Sequence, residues 1–424
     1  MRYQKIDWVH HTNVYEVNLR QYTKEGTFNA FVAHMNRLKE MGVHTLWFMP
    51  ITPISQYKRK GLLGSYYASQ DYTATNPEFG SLEEFRDLVR LAHDMDMKVI
   101  IDWVANHTGA DHKWTFEHPE FYHKNEQGDF YDKNGWDDVI DLNYGNEKMR
   151  AEMIDCMKFW VQECDIDGFR CDMAMLTPVD FWHQARAAVD QLKPLFWMAE
   201  CDQWSDPAYL EVFDAAYTWK WMHVTQEHYQ NHKHMIVLKD ILYRYNDLEP
   251  RDALRLWFTS NHDENSWNGT EYEKYGHMAQ ALAVFSCTWN GIPLIYTGQE
   301  LPNHKRLAFF EKDEIHWGIL QMEGFYKKLL WLQRTHPALA CGTNDVQTFF
   351  VFTDHEDKML VYLRKNGDSE VMVMMNLSPY MLNVTLYDDR VWGRFNELFS
   401  DLDVDLSSNR SLHVEPWGYR VFVK

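Results

Sequence analysis

From Asn13 to Glu300 the chain alternates short apolar runs with amphipathic stretches, and this pattern leaves few folds open. Runs at 13–19, 44–49 and 98–102 read as strands, and 27–41 and 82–97 between them read as helices. In the first helix Phe28, Phe31, Met35 and Leu38 fall on one face, and Gly42 ends it. Ser81 and Glu84 make the capping box of the second. The alternation resumes with helix 146–164, strand 167–172, helix 178–192 and strand 196–200. Strand 213–217, a helical region to about Tyr245, strand 254–259, helix 279–289 and strand 293–297 complete it. Such alternation demands parallel strands joined by helical crossovers. Eight units predict an α/β fold closed as a (β/α)8 TIM barrel. The competing solution is an open doubly wound sheet, but no GxGxxG or phosphate-binding loop follows any strand.

Two regions break the pattern. Residues 104–144, after the third strand, are rich in His, Asp, Asn and Gly and read as a short insertion. From Thr343 onward, runs at 346–353, 359–364, 371–376, 381–385 and 413–423 read as short strands joined by polar turns. The expected division is therefore a barrel in two parts (1–103 and 145–342), the insertion (104–144), and an all-β C-terminal sandwich domain (343–424).

The formal charge of −20 argues against nucleic acid and anionic membranes as partners, because both require concentrated positive surface. No run of 18 apolar residues is present, and the start Met1–Trp8 lacks the apolar core of a secretion signal. The six cysteines show no CxxC spacing and read as reduced, buried thiols. A cytoplasmic protein is expected, although a secreted one trimmed of its leader would read the same. The many Trp and Tyr furnish an aromatic core, and their flat faces also suit sugar rings.

Several strands end in the same manner. The third ends at Asp102, with Asn106 and His107 just beyond; the fourth carries Arg170 and Asp172; the fifth ends at Glu200; Asn261-His262-Asp263 follows the seventh. In an eight-fold barrel these converge at the C-terminal face. Burying so many charges without a function carries a large desolvation penalty. Arg170 and Asp172 alternate with Phe169 and Cys171, so they share one face of their strand, and the cation should hold Asp172 ionised. Glu200 follows Phe196-Trp197-Met198-Ala199, and apolar surroundings would keep it protonated. An ionised carboxylate beside a protonated one is the pair that glycosidic bond cleavage uses.

With these residues in place, the sequence resembles glycoside hydrolase family 13, the α-amylase family, over essentially its whole length. Asp102-Trp103-Val104-Ala105-Asn106-His107, Gly168-Phe169-Arg170-Cys171-Asp172, Glu200 and Phe258-Thr259-Ser260-Asn261-His262-Asp263 are similar to the family's four regions, in family order. Asp141-Leu142-Asn143-Tyr144 resembles the end of its B domain, and Gly291 to Glu300 its last barrel strand. The resemblance implies Asp172 as nucleophile, Glu200 as acid/base and Asp263 as transition-state stabiliser. It implies Tyr67, His107, Arg170, His262 and Asp102 as substrate-binding residues, and a retaining cleavage of α-1,4-glucans or maltooligosaccharides with the two carboxyls about 5–5.5 Å apart. Alternatives are a transglycosylase, a cyclomaltodextrinase- or neopullulanase-like enzyme, and a non-catalytic binding subunit. Where many of the family's amylases carry Lys-His, this chain has Met175-Leu176. That substitution removes an acceptor-side contact and a ligand of the family's calcium site. No cofactor is expected; Asn106 is the residue that would join a structural calcium. A monomer is expected, because the dimerising N-terminal module of cyclomaltodextrinases is absent. Trp204, Trp219, Trp221 and the run His304-Lys305-Arg306 are further candidates for outer sugar contacts.

Overall fold

In the computed structural model, which describes residues 3–424, eight parallel strands close on themselves. Met1 and Arg2 of the N-terminal stretch lie outside the described residues. The barrel strands are β1 (Val14–Val17), β2 (Thr45–Phe48), β3 (Lys98–Trp103), β6 (Gly168–Cys171), β7 (Phe196–Asp202), β8 (Ala215–Tyr217), β9 (Leu254–Trp257) and β10 (Ile292–Tyr296). Strands β4 (His107–Gly109) and β5 (Val139–Asp141) pair as an antiparallel ribbon inside the insertion. Around the barrel the order is β1-β10-β9-β8-β7-β6-β3-β2, and β1 pairs with both β2 and β10, so no barrel edge is left open.

Local sequence explains the helices. Thr27 caps Phe28–Met41 by accepting from the Ala30 N–H (3.2 Å), and Gly42 closes the other end. Phe28, Phe31, Met35 and Leu38 are fully buried on one face, each worth about 1.5–3 kcal/mol of transfer free energy. The Ser81–Glu84 box forms in both directions, at 2.7 and 3.2 Å. The region to Tyr245 is two helices, Trp219–Asn231 and Met235–Asp247, because His232 turns the chain with φ +53° among polar neighbours. The last crossover helix, Glu323–Thr335, was not expected; a long irregular loop separates it from β10. Trp47, Trp103, Trp160, Trp182, Trp197, Trp257 and Trp289 are fully buried, so much of the aromatic content is core. Gly168 lets β6 approach β7 closely: a Cβ there would lie 2.1 Å from the Phe196 carbonyl oxygen.

The C-terminal strands are β11 (Gln347–Phe350), β12 (Met359–Asn366), β13 (Ser369–Asn376), β14 (Leu382–Thr385), β15 (Arg394–Glu397), β16 (Leu402–Asp405), β17 (Ser411–Val414) and β18 (Tyr419–Val423). Six form one antiparallel sheet, β11-β12-β13-β18-β15-β16, and β14 pairs with β17. Val361, Leu363, Met372 and Phe422 of the large sheet pack against Val384 and Val414 of the pair. Leu360, Tyr362, Val373 and Val421 point the other way, into the core shared with the barrel. The run expected as one strand over 413–423 is two strands, broken where Trp417 takes φ +56°.

His44, at the start of β2, is buried with Nδ1 2.8 Å from Thr12 Oγ1. Burial, reinforced by the Arg334 charge, pushes its pKa down to about 3. A depressed imidazole stabilises the fold above its unfolded value of about 6.5, and that contribution is lost as pH falls toward 3. Between pH 7 and pH 4, His44→Gln is expected to lose ~3 kcal/mol less unfolding free energy than the parent. Denaturant titrations at the two pH values measure this; equal losses would remove His44 as the acid-sensitive group. All six cysteines are free and buried. Among the described residues, no helix is long and apolar enough to cross a membrane.

Candidate active site

Asp102, His107, Arg170, Asp172, Glu200, His262 and Asp263 gather at one end of the barrel, and Arg170 on β6 is the hub. Its guanidinium is fully buried over the Trp47 ring, 4.9 Å from the centroid. Nη1 donates to both oxygens of Asp102 (2.9 and 3.1 Å) and to Asp172 Oδ1 (3.1 Å), and Nε donates to the Tyr217 hydroxyl (3.2 Å). Nη2 lies 2.9 Å from Glu200 Oε2, which also accepts the Met173 N–H at 2.8 Å. Met173 is placed to donate by a left-handed backbone (φ +37°) just after Asp172, a conformation a side chain tolerates only under constraint.

This geometry changes two expectations. Asp172 is not simply held ionised by Arg170. Burial first, then the Glu200 charge, push its carboxyl well above the ordinary range, and Arg170 only partly offsets them. Nor is Glu200 in apolar surroundings: a guanidinium and an N–H both face its Oε2. Asp172 and Glu200 therefore face a common cation, Arg170.

A second network adjoins this pair. His262 Nδ1 contacts Glu16 Oε1 on β1, and Nε2 lies 2.8 Å from the Tyr67 hydroxyl and 3.2 Å from Asp263 Oδ2. Burial opposes charge on this ring, but Asp263 and Glu16 hold the imidazolium well above its usual range. Tyr67 donates its own proton to Asp102 Oδ2 (2.9 Å) and stacks on His262, so the two networks are joined. Against the cost of burial, the His262 charge draws Asp263 below the ordinary carboxylate range. His107 stays neutral, its pKa pushed down to about 4 by burial.

The groups open onto a cavity of about 390 Å³. Tyr67, His107, Asp172, Glu200 and Asp263 line it. Asp102, Arg170 and His262 are not among its lining residues but contact them: Asp102 and His262 meet Tyr67, Arg170 meets Asp172 and Glu200, and His262 meets Asp263. Residues the sequence reasoning passed over also line the cavity: Lys60, Trp136, Asp138, Trp267, Phe309 and Phe310. They come from loops whose meeting no local pattern reveals. Glu16 did leave a signal, an acid inside the apolar run Val14-Tyr15-Glu16-Val17. The outer candidates Trp204, Trp219, Trp221, His304, Lys305 and Arg306 do not line the cavity. Trp221 is core, stacked on Phe285, and Arg306 pairs with Glu273.

Asn106 lies elsewhere, with Nδ2 3.2 Å from His107 Nδ1, at the edge of a separate cavity that Asp141, Leu176, Lys133 and Arg150 also line. The Arg150 guanidinium donates there to the Tyr144 carbonyl (2.7 Å) and to Asp180 (2.6 Å). Asp141 Oδ1 is buried without a partner. Among the described residues, no three His, Cys, Asp or Glu side chains gather as metal ligands.

A parallel barrel that gathers three carboxylates, an Arg and two His at one end holds the groups that glycosidic bond cleavage can use. Comparison with known proteins gives the family. The α-amylase catalytic-domain model matches residues 11–137 and 115–317, and the chain belongs to the α-amylase family. An α-amylase from Lactobacillus plantarum superposes with a TM-score of 0.87 at 28% identity, covering 98% of this chain and 99% of that one. A noncanonic maltogenic α-amylase, AmyB, from Thermotoga neapolitana also gives 0.87 at 28%, covering 98% and 97%. The β/α-amylase of Paenibacillus polymyxa is 27% identical over 395 residues, 83% of this chain and 31% of that protein. The chain spans less than two thirds of the length of the first curated relatives it matches.

Proposed function

We propose that the chain is a retaining glycoside hydrolase of α-1,4-glucosidic bonds in starch-type glucans or maltooligosaccharides. One observation carries the reading: Asp172 and Glu200 share Arg170 and face one cavity, which Asp263 and Tyr67 also line. Asp172 attacks the anomeric carbon while Glu200 gives its proton to the glycosidic oxygen, and the C–O bond breaks. A glycosyl ester on Asp172 results. Water then returns a proton to Glu200, its oxygen bonds to the anomeric carbon, and Asp172 leaves. Asp263 keeps its negative charge through His262 and suits the positive charge that develops on the sugar ring.

Two displacements retain configuration, so NMR of the first product should show the α-anomer. Initial release of the β-anomer would sink the assignment. The second reading is a transglycosylase, or a cyclomaltodextrinase- or neopullulanase-like enzyme, using the same acids. Met175 and Leu176, in place of a polar acceptor contact, favour it. In either case we expect a cytoplasmic monomer that needs no cofactor.

A further inference from the structure

We propose that the cavity is closed at the end that holds the glycone, so that attack proceeds from the non-reducing end of a glucan rather than within it. The inference rests on the glycosidase reading and concerns which bond is cut.

The barrel order sets the geometry. β7, which carries Glu200, stands opposite β1. A general acid touches the leaving oxygen, so the departing part of the substrate runs out past Glu200 and Met173. The sugar held by Tyr67, His107 and Asp263 therefore points toward β1. On that side, four segments are joined. The loop after β9 is tied to the loop after β10: Asn265 Nδ2 donates to the Lys305 carbonyl (3.1 Å), and Asn265 Oδ1 accepts from the Leu307 N–H (2.8 Å). The loop after β10 is tied to the loop after β2, since Leu63 N–H donates to the Phe310 carbonyl (3.0 Å) and Leu62 N–H to Glu311 (3.1 Å). At Gly61 (φ +61°) a Cβ would lie 2.6 Å from the Phe310 Cβ, so these loops press together. The loop after β2 is tied in turn to the insertion. Lys60 Nζ pairs with Asp137 (2.7 Å) and Asp138 (3.0 Å), and the Gln56 and Tyr57 N–H groups donate to Asp111.

Aromatic rings fill the wall so made. Phe309 stacks on Tyr67 at 6.2 Å and meets Trp267 at 5.4 Å. An internal glucan segment needs an exit on both sides of the cleaved bond, and this wall removes one. Lys60 and Asp138 line the cavity at the same end and offer a donor and an acceptor to free terminal hydroxyls. A chain whose terminal hydroxyls are capped loses those partners and meets the wall.

The test compares p-nitrophenyl maltoheptaoside with the same compound carrying an ethylidene cap across its free non-reducing-end hydroxyls, with products resolved by chromatography. The intact protein should cut the uncapped compound to one short product series and the capped compound at least ~100-fold more slowly in kcat/KM. Lys60→Ala, which removes the pairs with Asp137 and Asp138, should raise the capped-to-uncapped ratio by about tenfold or more. Equal cleavage of both compounds, with mixed product lengths, overturns the inference and leaves the glycosidase reading intact. Cleavage of neither overturns that reading and the inference together. A ratio unmoved by Lys60→Ala overturns the role given to the joined rim.

Discussion

Asp172→Asn should lower turnover on maltooligosaccharides by at least about four orders of magnitude while leaving the melting temperature unchanged or higher. Both halves follow from one arrangement. In the proposed mechanism this carboxylate bonds to the anomeric carbon, and an amide cannot replace it. Yet the fold holds that carboxylate against burial and against Glu200, with its pKa pushed well above the ordinary range. A neutral amide of the same shape relieves this repulsion and still accepts from Arg170 Nη1. Single-turnover kinetics and calorimetry on one preparation check both. Appreciable turnover would remove Asp172 from the chemistry, and a clear drop in melting temperature would show that the carboxylate is a net structural asset.

The second large effect is on stability. Arg170→Met should cost about 3–5 kcal/mol, because it leaves Asp102, Asp172 and Glu200 facing one another in a buried site without their cation. Denaturant unfolding followed by Trp fluorescence measures it. The loss should shrink on acidification, since the unpaired carboxyls take up protons in the variant and the repulsion disappears. A loss equal at pH 7 and pH 5 would mean that packing over Trp47, rather than charge, is what the Arg supplies.

The barrel was legible because each strand and its following helix carry their own signals within about thirty residues. The Ser81–Glu84 box and the Phe28–Leu38 stripe are local, and so is the acid or base at each strand end. What escaped was produced by contacts distant in sequence. Lys60 meets Asp137 and Asp138, and Phe309 meets Tyr67, only after the barrel has closed. Glu200 shows the same limit at one residue: its apolar predecessors on β7 do not surround it, and what faces it is Arg170 from the neighbouring strand. The strands β15 and β16 escaped for another reason. Each is only four residues long, with Phe395 the one apolar residue of β15 and Leu402 and Val404 those of β16, so the run is too short to stand out.

The six cysteines have a practical use. Each is buried in a packed interior and forms no disulfide; burial pushes the Cys156, Cys164 and Cys341 thiols up to about 12. A thiol so held reacts only from conformations that have opened around it. Cys171 and Cys201 adjoin Asp172 and Glu200 in sequence, Cys156 and Cys164 ride the helix Glu147–Cys164, and Cys341 lies just before the C-terminal strands. Their separate labelling rates, read by mass spectrometry, are thus a built-in gauge of which part of the molecule breathes first, with no probe engineered in.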